Sequence, residues 1–436
     1  MKNKKKVIFS SSIALIVLVF SKLVLAAPMS LTVEDCISLA LKNNPSIKEA
    51  MVNQKTNYWA VKQAEAGKGF TLDYTHAAER YTTYKSYKAA PNGFLVPAWQ
   101  YYGVTSFDNS FSFSLPVYSG GSLEGQIEEA KQNSKVADLT LEATKQQLKQ
   151  SVISDYFSVL EYKNNLAVSQ ETVANYQKHL MNVQLQYSAG TVAKTDLLSS
   201  QVSLADAEAS LITAQNNYDL AVATLNNVMG LPLGSELTLK DELTYDKNEL
   251  TLAGCEQYAL QHRPEMAEFQ AKIDVAKAGI NVAKAGKRPS VTVVAGEDWN
   301  DSEFPGTENN NWSVGLTTSW SILDSGLVHS KVKQAEAALD TAKIAADQEQ
   351  DTVKLEVRQY FLSMREAEKR IETTQVAVSQ AQDNLRISEV RYKTGVGTNL
   401  DVLDAVLSLK EAKTNYSQAL YDYNTSKSSL DKAMGK

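Results

Sequence analysis

An apolar residue falls at every seventh position from Val152 through Val159, Leu166, Val173 and Leu180 to Tyr187. A second stretch alternates by four and three: Val353, Val357, Tyr360, Met364, Ala367, Ile371, Thr374, Val378, Ala381 and Leu385. Both patterns are coiled-coil seams. The spans 122–186 and 327–391 contain no proline, and their one glycine is Gly125. At about 1.5 Å per residue each predicts a helix of roughly 100 Å, far longer than a globular helix and stable only if packed along its length. A further seam follows each. Leu197, Leu204, Leu211, Tyr218 and Leu225 form the first, and Val402, Leu409, Tyr416, Tyr423 and Leu430 the second. Ala207, Ala214 and Ala221, then Ala405, Ala412 and Ala419, sit three positions behind, which lets helices approach closely. Between the seams, Gly190 and Gly395 suit C-terminal caps with positive φ. Thr195 and Asp196, or Asn399 and Asp401, offer N-cap side chains. Two helical hairpins are therefore expected, with tips near 187–196 and 392–401.

Other segments have a period of two. Trp312, Val314, Leu316, Thr318, Trp320 and Ile322 alternate with Ser313, Gly315, Thr317, Ser319 and Ser321. From Trp312 to Trp320 is about the length that a tilted strand needs to cross hydrocarbon, and an aromatic at each end matches the girdles of outer-membrane barrels. Phe111–Leu115 alternates too, and Phe70, Leu72, Tyr74, Val291 and Val293 do so more weakly. The expected strands lie at about 70–79, 108–118, 290–298 and 311–322. Residues 77–106, rich in Tyr with Pro91, Gly93 and Pro97, and the acidic, Asn-rich 297–311 read as exposed loops. Four strands cannot close a barrel, and open edges cannot face lipid. Two copies would supply eight strands, and three would supply twelve with room for a channel. A soluble β-sandwich capping a coiled coil is the alternative.

The chain is also duplicated. Residues 31–45, LTVEDCISLALKNNP, match 250–264, LTLAGCEQYALQHRP, at an offset of 219. Ala64–Lys68 matches Ala283–Lys287 at the same offset. Tyr187-Ser188-Ala189-Gly190 matches Tyr392-Lys393-Thr394-Gly395, and Asp196-Leu197-Leu198 matches Asp401-Val402-Leu403, at an offset of 205. Repeats over 28–230 and 250–436, each a helix, two strands and a long hairpin, flank a linker at 231–249. Two repeats of this size exclude a solenoid.

Composition narrows the setting. Residues 1–27 carry a Lys-rich start, an apolar run and Ala26-Ala27, the layout of a signal peptide. Its removal takes five lysines and no acid, moving the formal charge from −6 to −11. Such a chain has no electrostatic reason to bind nucleic acid. No later stretch is long and apolar enough for a transmembrane helix. Cys36 and Cys255 could pair in an oxidising compartment, but their matched positions suggest equivalent buried sites. His76, His179, His262 and His329 form no HExxH pair and read as surface or helix residues. No Gly-x-Ser-x-Gly elbow occurs, and Gly279–Lys287 has the wrong spacing for a phosphate loop. No enzyme, cofactor or metal site is expected.

The duplicated layout and the twin Tyr-x-x-Gly tips, each with Asp six residues after the glycine, resemble the TolC-like outer-membrane factors over essentially the whole mature chain. The resemblance implies an α+β membrane protein: a trimer whose 12-stranded transmembrane β-barrel, four strands per chain, continues into a long coiled-coil α-barrel across the periplasm of a diderm bacterium. It implies a passive exit duct of a tripartite efflux or type I secretion system. Its partners would be outer-membrane lipid, a periplasmic adaptor (membrane fusion protein) and, through it, an inner-membrane pump or ATPase. It places a periplasmic gate at Asp401 and Asp404, with a latch at Tyr392, Thr195 and Asp196, and adaptor docking around Gly190 and Gly395. The latch's expected arginine falls at Gly397. Asp196 and Asp401 also fit plain N-caps; Asp404, inside the helix, fits capping less well. A secreted coiled-coil structural or adhesive protein is the competing reading.

Overall fold

A computed structural model describes residues 29–247 and 249–436; the processing segment expected over 1–27 lies outside the described residues. The first half runs β1 (Met29–Leu31), α1 (Val33–Asn43), α2 (Pro45–Ala66), β2 (Thr71–Ala89), β3 (Leu95–Tyr118), α3 (Ser122–Ser188) and α4 (Lys194–Val228). Then come β4 (Leu237–Leu239), α5 (Leu252–His262), α6 (Pro264–Ala285), β5 (Ser290–Asp301), β6 (Asn311–Ser319), α7 (Leu327–Lys393) and α8 (Asn399–Met434). The duplication holds element by element. The helices α1 and α5 have 11 residues each, α2 and α6 have 22, and α3 and α7 have 67.

Local chemistry sets these boundaries. Thr32 and Thr251 accept a backbone N–H at the starts of α1 and α5. Pro45 and Pro264 begin α2 and α6, where a missing N–H costs nothing. The seams are buried: Val152, Val159 and Val173 on α3, and Val353, Val357, Met364 and Ile371 on α7. The two long helices differ in company. Helix α3 packs against α2 and α4 of its own repeat and against α6 and α8 of the other. Helix α7 packs against α5, α6 and α8. Away from them it exposes Leu355, Leu362, Val376 and Val390.

The four long strands form one antiparallel sheet in the order β2-β3-β5-β6. Its first hairpin corrects one expectation. Residues 77–106 are not a loop: β2 and β3 continue to a short tip at Ala90–Phe94. The Tyr and Thr residues that filled this stretch favour strands, and Pro91-Asn92-Gly93 is confined to the turn. Conversely, β6 stops at Ser319, before the expected 322.

The linker straps the helices. Strand β1 pairs in parallel with β4. Buried Tyr156 on α3 donates to Asp241 Oδ2 at 2.7 Å and lies 3.2 Å from Leu31 O. Asp241 Oδ2 also accepts Val33 N–H. Tyr245 donates to Glu368 on α7, and Tyr423 on α8 donates to Asp246 O. Cys36 and Cys255 are free thiols buried at matching places in α1 and α5, and burial pushes Cys36 up to about 12.

Tyr156→Phe should keep the packing and strand Asp241 without its hydroxyl donor. The expected cost is about 1–3 kcal/mol, read as a lower midpoint in denaturant unfolding of the detergent-solubilised protein. An unchanged midpoint would remove this strap from the account.

Candidate functional site

The register of the sheet sorts its side chains onto two faces, because directly paired residues point the same way. One face carries Thr71, Asp73, Thr75 and Glu79 on β2, then Ser106, Asp108, Ser110, Ser112 and Ser114 on β3. Asp298 and Asn300 on β5, and Asn311, Ser313 and Thr317 on β6, continue it. These positions include four carboxylates and no cation. The opposite face carries Leu72, Tyr74, Phe111, Phe113, Val293, Ala295, Trp312, Val314 and Leu316. Most of it is open: Trp312 is 72% exposed, Val314 69% and Leu316 65%. A sheet with one hydroxyl-and-carboxylate face and one bare apolar face suits a barrel wall between water and lipid.

Aromatic residues gather at both ends of the apolar face. Trp312 stands across from Glu297, level with Phe111 and Tyr74; the Phe111 ring touches Tyr74 at 5.0 Å and Trp299 at 6.0 Å. At the other end Phe70 stacks on Phe113 at 5.4 Å. Trp320, expected within the strand, lies just past it, and its indole N–H donates to Lys287 O at 3.3 Å. Tyr74 and Trp299 add to the aromatic cluster at the Trp312 end. Trp299 was hidden because the acidic residues around it read as a loop.

At the far end of the long helices the two hairpin tips lie side by side. Gly190 and Gly395 both take φ of +77°, and a Cβ on either would meet nothing within 4 Å. Each glycine is needed for its backbone angle alone, and the surface around it is open. The expected N-caps are displaced. The cap of α4 is Ala193, with no side-chain bond, and the cap of α8 is Thr398. Asp401 completes a capping box with Thr398, whose backbone N–H it accepts at 2.9 Å. Those Thr398 donors, backbone first, hold the Asp401 carboxyl below the usual carboxylate range. Asp404 lies three residues on, and both carboxylates are on the solvent face of α8 while Val402, Leu403, Ala405 and Val406 are buried. Capping therefore accounts for Asp401, and no cap involves Asp404.

Within the chain the Tyr392 hydroxyl is not bonded to the other residues expected in the latch. Tyr392 is 6% exposed and its hydroxyl has no partner among the described residues. Burial, then the nearby Asp196 charge, raises its pKa. Thr195 is exposed and Asp196 half-buried. At Gly397, where an arginine was expected, Arg391 Cβ crowds the turn, and a Cβ added there would come within 3.0 Å of it. The bond that does reach Asp196 comes from Asn399, whose amide donates to Asp196 O at 3.2 Å. His179, expected as a surface or helix residue, lies on α3 and is buried beside it. No group of three or more His, Cys, Asp or Glu side chains able to hold a metal occurs among the described residues, and no described helix is long and apolar enough to cross a membrane.

A segregated four-stranded sheet continued by two over-long hairpins defines one protomer of an outer-membrane channel, the α+β class of trimeric α-barrel and β-barrel ducts. The outer membrane efflux protein family model matches residues 36–231 and 256–436, and the chain belongs to that family. It is 26% identical over 332 residues to the outer membrane protein TolC of Vibrio cholerae, covering 74% of this chain and 75% of that one. TolC of Escherichia coli is 26% identical over 317 residues, 69% of this chain and 64% of that one. Among solved structures, the Campylobacter jejuni CmeC outer membrane channel superposes with a TM-score of 0.79 at 16% identity, covering 92% of this chain and 85% of that one. Vibrio cholerae VceC gives 0.76 at 19%, covering 92% and 96%. The protein resides in the outer membrane and extends into the periplasm.

Thr398→Ala should cost about 1 kcal/mol of capping, roughly a five-fold rise in local opening. Amide exchange at residues 399–403 would show it, with the Asp401 carboxyl titrating nearer the usual range. Unchanged exchange would mean that the tip is held by packing alone.

Proposed function

We propose that this protein is a passive exit duct of a tripartite efflux or type I secretion system, gated at its periplasmic tip. The observation that carries the reading is the sheet: two faces of opposite polarity and two edge strands, β2 and β6, each with one neighbour. In hydrocarbon those edges need partners. Three copies supply twelve strands and a lumen, whereas eight strands leave an interior filled by side chains. The helices ask for the same closure. Helix α3 is flanked on both sides within the chain. The bare flank of α7 matches the bare flanks of α2 and α4, where Met51, Val52, Trp59, Leu198, Val202 and Ile212 are exposed. Packing α7 of one copy against α2 and α4 of the next repeats the intrachain contacts of α3 with α6 and α8.

In this homotrimer Asp401 and Asp404 ring the constriction, six carboxylates in all. Such a ring attracts cations. Tyr392, Thr195 and Asp196 lie where the two tips meet and part. The open surfaces around Gly190 and Gly395 receive a periplasmic adaptor, through which an inner-membrane pump or ATPase supplies the energy. The chain itself carries out no reaction. Relatives of this chain are named for alkaline protease secretion and for solvent efflux, so the family name leaves the cargo open. A secreted coiled-coil protein would explain the seams but not the bare apolar face of the sheet.

The mature protein should extract from outer membranes only with detergent and run as a trimer. Single channels of Asp401→Ala/Asp404→Ala should lose most of their cation preference and conduct more. Unchanged selectivity and conductance would remove the gate from these residues; a detergent-indifferent monomer would remove the duct.

A further inference from the structure

One side-chain amide near the tips of the two hairpins of a chain bonds to both helices of the first hairpin. Asn399, the first residue of α8, is 6% exposed. Its Nδ2 donates to Asp196 O at 3.2 Å and to Ser199 Oγ at 3.3 Å, both on α4. Its Oδ1 lies 3.0 Å from Ser200 Oγ and 2.6 Å from His179 Nε2 on α3. Ser200 has one hydroxyl hydrogen, and Asp196 O competes for it at 2.8 Å. The imidazole is thus the undivided donor to Oδ1. Because the amide nitrogen is committed to α4, the oxygen faces His179, and Nε2 must carry the ring's proton. In the neutral ring Nδ1 is then the bare nitrogen, and it has no hydrogen bond among the described residues.

The surroundings of the ring oppose a second proton. His179 is 5% exposed. Facing it are the edge-on ring of Tyr392 from α7 at 5.0 Å and Asn399 from α8, whose Oδ1 also meets Ser200 of α4. The nearby carboxylate on α7 is Glu389, already paired with Lys178 at 2.9 Å. Asp196 turns its carbonyl, not its carboxylate, toward the amide. On α3 itself, Tyr176 donates to Leu403 O. Burial, the largest influence, lowers the imidazole pKa, against the Asn399 bond and Glu389.

We propose that His179 is an acid-sensitive fastener: neutral, it ties the second-repeat tip to the first through Asn399, and protonated, it releases that tip. The proposal rests on the tip being the gate. The sign follows from linkage. In the parted state a hydrated imidazole titrates near its ordinary value of about 6.5; in the joined state it titrates lower. The joined state is favoured above the ordinary value and loses ground as pH falls toward the depressed one.

The test is single-channel recording of the full mature protein in planar bilayers from about pH 7.5 to about pH 5, across the range of imidazole titration. The parent should open severalfold more often in acid. His179→Gln keeps an N–H donor without a titrating group and should stay closed throughout. His179→Phe removes the donor and should be open already at neutral pH. An acid response that persists in His179→Gln would assign it to another group and overturn the proposal. So would a parent indifferent to pH, while cation selectivity of the double aspartate variant still judges the gate independently. Should His179→Phe fail to assemble, amide exchange at residues 399–403, corrected for its intrinsic pH dependence, decides. Protection must fall in acid for the parent and hold for His179→Gln.

Discussion

The unpaired backbone of two edge strands governs this molecule. Strands β2 and β6 each turn a row of N–H and C=O groups outward, and in hydrocarbon every such group costs several kcal/mol. Nothing among the described residues pairs with their outer edges. The protein therefore folds into a fraction of a barrel whose completion requires sister copies, and the apolar face with Trp312, Val314 and Leu316 is acceptable only when lipid replaces water around it. The opposite face follows from the same closure. It lines the lumen, where Asp73, Asp108 and Asp298 can stay hydrated among hydroxyls.

The duplication turns one packing solution into two. The repeat relates the intrachain contacts of α3 with α6 and α8 to the contacts that α7 would make with α2 and α4 of the next copy in the proposed trimer, so a single pattern of apolar residues would serve both. The symmetry is incomplete at the tips. Asn399 begins α8 with a bonded amide, whereas the matching Lys194 begins α4 after an Ala193 cap that offers no side-chain bond.

What could be read from residue order was what repeats over long distances. A seven-residue spacing survives substitution at any one position, which is why α3 and α7 were legible to their ends. The twin Tyr-x-x-Gly motifs located the tips because a left-handed turn demands glycine at Gly190 and Gly395. Local competition was less legible. Tyr and Thr between 77 and 106 favour strand, while Pro91, Gly93 and Pro97 favour turn, and only the pairing partner β3 decides between them. The cap of α8 slipped because Thr398 lies one residue ahead of Asn399 and three ahead of Asp401, both plausible caps. His179 was illegible: its neighbours in sequence, Lys178 and Leu180, say nothing of Asn399, which lies 220 residues on. Buried polar partners leave no periodic trace.

The division of labour along the helices has a physical logic. Near the linker the seams close over large side chains such as Tyr156, Leu225, Met364 and Tyr423, all essentially buried, and separating them would expose apolar area at about 25 cal/mol per Å². At the tips the core includes Val183, Val402 and Val406, but the contact between hairpins is completed by Asn399, Ser200 and His179. A hydrogen-bonded contact is cheap to open wherever water can replace its partners, since the net worth of each bond is only about 1 kcal/mol. An apolar seam has no such substitute. The gradient suits the proposed gate at the tip, with packing where the wall holds and exchangeable polar bonds where the proposal has it part.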